Sequence, residues 1–446
     1  MREPRFILVS LVIMLVFALP NHTPALATEP CGNWSAVESP NPSIVNRVLD
    51  VTGRSPDDLW LLGGAGPTYP PITMIWHRQG SGWTTIPLPD TSPIGWLPSF
   101  NAITQLPNGD VLVGGEVGTS YPIYNQPFVA RWNGSQWVDV LAITLRPQTV
   151  YPYGARGGFI YEFFVAGPDD IWALGNAASM GYGGSVAMAV HFDGSSWTEV
   201  ETPIVGNRTN QIIAADGSGP NDIWAVGVYR DIAGAYTPFT MHWDGSSWTY
   251  HAGPTGATGS FDAAAVISPT DAWALGVSVF VHWDGVAWQP APKPSGASSA
   301  AIEALASDDV WVAHMTNGYF HWNGATWAFA DGPVTPAPGE FAQVRDFVSV
   351  GPCDVWAAGS FLLLNGGEAS ATLVQRLTTV VPLIGDLNCD GAVDFGDINP
   401  FVLALTNPGA YATAYPGCDI LNGDINGDGS VDFADIDPFV VLLAAG

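Results

Sequence analysis

Lysine occurs once in the 446 residues, at Lys293, and the 13 basic residues face 41 acidic ones, a net charge of −28. Nucleic acid and anionic membrane surfaces are bound through clustered Lys and Arg, so this balance argues against both as partners. Long apolar runs are also scarce. One, Phe6–Leu19, follows Arg2 and Arg5 and precedes the small-x-small triplet Ala25-Leu26-Ala27. That is the pattern of a secretory signal peptide over residues 1–27, and no later segment is apolar enough to span a bilayer. Catalytic signatures are missing as well. There is no nucleophile elbow, no His-Glu-x-x-His and no phosphate loop, and no carboxylate pair stands outside the repeated slots described below. The expectation is an exported, extracellular protein that does not insert into a membrane.

Cysteine is limited to four positions. In an exported chain these are expected to pair. The expected bonds are Cys31–Cys353 and Cys389–Cys418, and the other two connectivities stay open.

Tryptophan, by contrast, is abundant at 19 residues, and 17 of them fall into three repeating slots. The first slot is Asp-x-Trp, at Asp58/Trp60, Asp170/Trp172, Asp222/Trp224, Asp271/Trp273, Asp309/Trp311 and Asp354/Trp356; a seventh copy, Asp110-Val111-Leu112, has Leu in the Trp position. The second half of the repeat is aromatic-Asp/Asn-Gly-x-x-Trp, as in Trp243–Trp248 and Trp283–Trp288. Self-similarity at a period of roughly 40–60 residues points to a propeller or a solenoid. The shortest copy reads as four strands: Ala263–Ile267, a Pro/Asp turn, Ala272–Val277, Val279–Trp283, an Asp284-Gly285 turn, and a last strand opened by Trp288. Seven slots therefore predict seven four-stranded blades over residues 28–377. The last repeat lacks its Gly-x-x-Trp strand, and Gly32-Asn33-Trp34 supplies one from the other end of the chain. The ring should close by pairing Trp34's strand onto the last blade, which removes two exposed sheet edges.

The repeated tryptophans are expected to pack blade against blade. His77, His191, His242, His282 and His321 share one strand position and should make structural hydrogen bonds, not bind metal. The slot aspartates are expected to bond turn backbone. The repeat resembles the WD-type propeller pattern, without the Gly-His pair that usually precedes it. Its second half resembles the Asp-box of sialidase-type propellers, with Asp and Trp one residue closer together. Loops between second and third strands, and connections between blades, share one face of such a ring. Their long inserts carry Tyr69, Tyr121, Tyr124, Arg146, Tyr151, Tyr153, Arg156, Tyr182, Tyr229 and Tyr236, the expected ligand face. Tyrosine offers a sugar ring an apolar face and a hydroxyl, and arginine forks onto carboxylates.

After a linker at 378–385, residues 386–446 hold two twelve-residue loops of calcium-binding type. In the first, Asp386, Asn388, Asp390, Asp394 and Asp397 supply side-chain oxygens and Ala392 a carbonyl. In the second, Asp424, Asn426, Asp428, Asp432 and Asp435 do so, with the Ser430 carbonyl. Two Ca²⁺ are expected as cofactor, because a hard cation takes about six to eight oxygens. Short helices should follow at Asn399–Leu405 and Asp437–Leu443, with Asn399 and Asp437 as N-caps ahead of Pro. Two such loop-helix halves without entering helices resemble the type I dockerin module. Loop positions 10 and 11 are Phe395-Gly396 and Phe433-Ala434, where dockerins usually present Ser/Thr contacts. The resemblance implies calcium-dependent attachment to a cohesin-like or cell-surface partner, in a setting of secreted polysaccharide-degrading proteins. The expected fold is thus an all-β, seven-bladed propeller with a small α-helical, dockerin-like calcium-binding module. The expected function is recognition of a glycan or protein; the alternative is a propeller-type glycoside hydrolase carrying a dockerin.

Overall fold

The computed structural model describes residues 32–445 except 68–70, 119–124, 146–154, 180–184, 206–208, 231–232, 352, 364–368, 379–383, 390–392 and 416–417. Residues 1–27, expected to be a signal peptide, and Cys31 lie outside the described residues. Among them, 28 strands form seven four-stranded antiparallel sheets, numbered β1–β28 in chain order. Each sheet is a blade, six of them built from four successive strands, the shortest being β18 (Ala263–Ser268), β19 (Asp271–Leu275), β20 (Phe280–Trp283) and β21 (Trp288–Pro290). The Asp-Gly turns work as the residue types require: Gly285 takes φ +88°, and Asp284 Oδ1 accepts from the N–H groups of Val286 and Ala287.

The ring closes as the sequence implied. β1 (Trp34–Ala36) pairs antiparallel with β28 (Ala369–Thr378), Trp34 opposite Leu377, and completes the seventh blade. Trp34 is buried, stacked on Tyr319 at 3.7 Å and edge-on to Trp311 at 5.6 Å.

Each slot aspartate is bound to a cation or imidazole on the third strand of its own blade, not to turn backbone as expected. Asp58, Asp170, Asp222, Asp271 and Asp309 lie 2.7–2.9 Å from Nε2 of His77, His191, His242, His282 and His321. The imidazoles lie over the slot indoles at 3.9–4.5 Å between ring centres. Arg131 replaces the histidine opposite Asp110, and Arg376 opposite Asp354, each with an N–H donated at 2.7–2.9 Å. Physically, a third-strand donor meets a first-turn carboxylate across two strands, which a motif read along the chain cannot show.

The slot indoles pack across the seams between blades. Trp172 meets Trp243 and Trp248 of the next blade at 4.7 and 5.4 Å, and Trp224 meets Trp283 and Trp288 at 4.7 and 5.0 Å. Trp273 repeats the arrangement with Trp322 and Trp327, and Trp60 shares a buried cluster with Trp132 and Trp137.

The C-terminal segment has its own small core of Leu387, Phe401, Ala404, Tyr411 and Phe439, with Phe401 and Phe439 in contact at 4.3 Å. Its helices are α1 (Ile398–Thr406), α2 (Pro408–Ala414) and α3 (Ile436–Ala445). The side-chain caps stand five residues ahead of those expected. Asp394 and Asp432 cap a 3-10 turn with Asp397 and Asp435, and α1 and α3 run straight on from those turns, ahead of Asn399 and Asp437. α2 had no counterpart in the sequence reading, and a 3-10 turn, Ile420–Gly423, leads into the second loop. The Cys389–Cys418 disulfide is present. Cys353 is disulfide-bonded and no described cysteine is free, whereas Cys31 is not among the described residues. No helix of the described residues is long and apolar enough to cross a membrane.

Candidate functional site

Three places gather chemistry. The first is the face carrying the long inserts. Tyr69, Tyr121, Tyr124, Arg146, Tyr151, Tyr153 and Tyr182 lie outside the described residues, and of Arg156 only the backbone, in β10 (Ala155–Gly167), is described. β15 (Asp222–Arg230) and β16 (Tyr236–Trp243) pair with Tyr229 opposite Thr237 and Arg230 opposite Tyr236, so Tyr229 and Tyr236 sit on neighbouring strands but alternate faces. Tyr236 is 52% exposed, with the Arg230 guanidinium 5.2 Å from its ring centre. Tyr229 is half-buried beside Tyr250.

The second place is the central channel, a cavity of about 380 Å³ lined by the innermost strand of every blade. It contains Asp50, Glu162, Asp216, Asp262, Glu303 and Asp346, with Arg345 as its one basic lining residue. This corrects the expectation from the sequence that no carboxylate pair stands outside the repeated slots. A signal was there: Asp50, Glu162 and Asp346 each stand eight residues ahead of a slot aspartate, and Asp216 and Glu303 six ahead. Strand side chains alternate, so positions two apart face the same way, and these acids form two layers on the channel wall.

Some of these carboxylates fasten one blade to the next. Asp50 Oδ2 accepts from Ile103 N at 2.7 Å, Asp216 Oδ2 from Val266 N at 2.7 Å, and Asp346 Oδ2 from Val51 N at 3.2 Å across the closing seam. Asp50 and Asp346 lie close enough to interact directly, and ionisation of one opposes ionisation of the other. Burial drives Asp50 well above the ordinary carboxylate range, helped by Asp346 and Glu162. Glu162 is raised by burial and by Asp346. Burial lifts Glu303 to about 8, with Asp216 and Asp346 adding repulsion, and Asp216 to about 6, against the pull of two backbone N–H groups. These side chains are half-buried by exposure, and solvent contact tempers both the desolvation and the mutual repulsion.

The third place is the pair of C-terminal loops. The second is described in full. Asp424 wraps its start, Oδ1 accepting from Asp428 N at 3.0 Å and Oδ2 from Gly429 N at 2.8 Å; Gly429, at loop position 6, takes φ +88°. Asp435, fully buried at position 12, accepts from Asn426 N and Asp432 N, both at 3.0 Å. The first loop repeats this: Asp397, also fully buried, accepts from Leu387 N, Asn388 N and Asp394 N at 2.8–3.0 Å. Asp390 and Ala392 of that loop lie outside the described residues. Among the described residues no three acidic, His or Cys side chains converge into a ready cage. The loops thus carry an oxygen-only donor set and the winding that suits a hard cation, with carboxylates turned onto backbone N–H groups from which they can rotate.

No family model and no curated protein matches the chain. Solved structures with a similar fold include YCF48 from Cyanidioschyzon merolae, 16% identical, covering 78% of this chain and 99% of that one at a TM-score of 0.49. YCF48 bound to D1 peptide is likewise 16% identical, covering 80% and 99% at 0.49. The GH93 α-L-arabinofuranosidase of Fusarium graminearum with arabinobiose is 12% identical, covering 78% and 98% at 0.45.

Proposed function

We infer that this is an exported, calcium-binding modular protein: the propeller recognises a glycan or a protein, and a dockerin-like module attaches it, in a calcium-dependent way, to a cohesin-like or cell-surface partner. The observation that carries the reading is the duplicated loop, in which a buried aspartate at position 12 draws together backbone from both halves of a twelve-residue turn. Asp386, Asn388, Asp390, Asp394 and Asp397 with the Ala392 carbonyl would hold one ion. Asp424, Asn426, Asp428, Asp432 and Asp435 with the Ser430 carbonyl would hold the other. Bound Ca²⁺ supplies positive charge to loops whose ligand positions hold four aspartates each and no base. Phe395 and Phe433 stand 78% and 75% exposed at equivalent loop positions, an apolar pair suited to a partner's surface. They replace the hydroxyl side chains usual there, so the partner surface should be more apolar than that of a standard cohesin.

A second reading, a propeller-type glycoside hydrolase, is favoured by the channel acids. A general acid poised near neutral pH is what glycoside hydrolysis needs, and Glu303 and Asp216 are shifted that way. A glycan array combined with a reducing-end release assay on the same preparation separates the two. Binding without release is expected, with affinity unchanged in Glu303→Gln. Release that disappears in Glu303→Gln or Glu162→Gln would replace the binding scaffold with the hydrolase.

A further inference from the structure

One seam of the ring is missing its indole. Leu112 occupies the slot of the second blade that Trp fills in the other six. Beside it the structure has a pocket of about 390 Å³ between the second and third blades, floored by Leu112, Phe192 and Trp197 and rimmed by Arg131, Asp139 and Asp169. At two of the other seams the walls are buried, Trp248 being 6% and Trp288 5% exposed, whereas at the first seam Trp137 is half-buried and a cavity of about 470 Å³ opens beside Trp60 and Trp132. Here Trp197 and Phe192 are only half-buried, and Leu141, on the pocket's edge, is 47% exposed.

The intact seams show what fits. Trp172 stacks on His191 of its own blade at 4.5 Å and is gripped by Trp243 and Trp248 of the next, tilted at 4.7 Å and edge-on at 5.4 Å. In the open seam Arg131 stands in the histidine position, held by Asp110 at 2.9 Å and by Asp139, while Phe192 and Trp197, 5.2 Å apart, replace the gripping pair. All the partners of an indole are therefore present and the indole is absent. A guanidinium stacks on aromatic faces as an imidazole does, and a pocket of apolar floor and sparse polar rim is the usual form of a small-molecule site.

We propose that this seam pocket is a binding site for a small planar aromatic molecule of about indole size, neutral or cationic. The charge follows from the rim. Arg131 is already paired with Asp110 and Asp139, and Asp169 adds a further carboxylate, so the pocket mouth is net negative. The guest's ring lies over the Arg131 guanidinium, against Phe192 and the edge of Trp197. The site lies at the end of the ring that carries the slot aspartates, opposite the long inserts, so it is separate from the ligand face above.

The test is ¹⁹F NMR titration of the full-length protein with 5-fluoroindole, 5-fluorotryptamine and 5-fluoroindole-3-acetate. Saturable binding of the first two is expected, weakened at least about tenfold by Trp197→Ala, which removes the edge-on wall, and abolished by Leu112→Trp, which fills the space from within. Leu112→Trp should also raise the melting temperature by restoring the seam. If Leu112→Trp does not fold, Trp197→Ala decides alone. Absence of saturable binding, or equal affinity in wild type and Trp197→Ala, would overturn the site. Tighter binding of the acetate than of the tryptamine would overturn the assignment of charge.

Discussion

Replacing Trp34 with alanine should destabilise the propeller by about 3–5 kcal/mol, the cost typical of emptying a buried tryptophan site. Few positions in the chain should be as sensitive. Trp34 lies on the strand that completes the seventh blade and closes the ring, and the strand is three residues long. Its ladder with β28 is short, continued by Val37 N to Val374 O and by Ser39 and Asn41 on Thr372, and the indole supplies the buried packing of this segment. The indole lies flat on Tyr319 at 3.7 Å, meets Trp311 edge-on at 5.6 Å and belongs to a cluster spanning the sixth and seventh blades. Removing it vacates the seam and frees the outer edge of β28, a ready template for aggregation. Denaturant unfolding followed by circular dichroism checks the stability loss, and light scattering checks the association. A Trp34→Ala protein that stays monomeric with an unchanged midpoint would show that the ring is held shut by something else.

The second large effect is a pH dependence of opposite sense to ordinary acid denaturation. Glu303 moves from its ordinary 4.5 to about 8 in the fold, and Asp216 from 3.8 to about 6, first by burial and then by neighbouring acids. Between those limits the folded protein binds protons that the unfolded chain has released. Stability therefore falls as pH rises across the window and levels off above the folded value. Asp50 and Asp346 act in the same direction at the closing seam, where ionising both sets two negative charges side by side next to the Val51 N–Asp346 bond that ties the seventh blade to the first. Asp58 and Asp222 act on the other side. Burial would raise them, but bonds from Gln105 and His77 to Asp58, and from His242 and Ser218 to Asp222, outweigh it and leave both below 3.8. Their contribution is intact above that value and is lost as pH falls through the lower folded value, outside the window of the channel acids. The melting temperature should thus be higher near pH 5 than near pH 9. Glu303→Gln should narrow the gap, by several degrees if about 1–2 kcal/mol is recovered. A melting temperature that rises from pH 5 to pH 9, or a gap untouched by Glu303→Gln, would mean that the channel carboxylates ionise freely in water.

The blades and their closure could be read along the chain because they rest on short-range signals. Asp284-Gly285 marks a turn, alternation marks a strand, and Trp34 fits a slot that the last repeat leaves vacant. The channel acids were missed because their significance is a matter of ring geometry. Asp50 and Asp346 stand almost 300 residues apart in sequence, and only the closing seam makes them neighbours. The slot aspartates were assigned to turn backbone for the same reason, since His242 reaches Asp222 only once β15 and β16 pair. In the C-terminal loops the spacing of oxygen side chains was plain, but the caps were not. Asp397 and Asp435 serve at once as loop position 12 and as the last residue of a 3-10 turn, and that dual role starts α1 and α3 earlier than Pro400 and Pro438 suggested.

Isothermal titration of the full-length, metal-stripped protein with Ca²⁺, alongside Asp435→Ala, tests the modular calcium-binding reading most directly. Each loop offers its own five side-chain donors and one carbonyl, so the account predicts two ions per chain in the wild type and one in Asp435→Ala, with the remaining site in the first loop. Asp435→Ala also removes the acceptor for Asn426 N and Asp432 N, so circular dichroism of the same sample confirms that the helices persist. Saturation at fewer than two ions in the wild type, or two ions in Asp435→Ala, would contradict it.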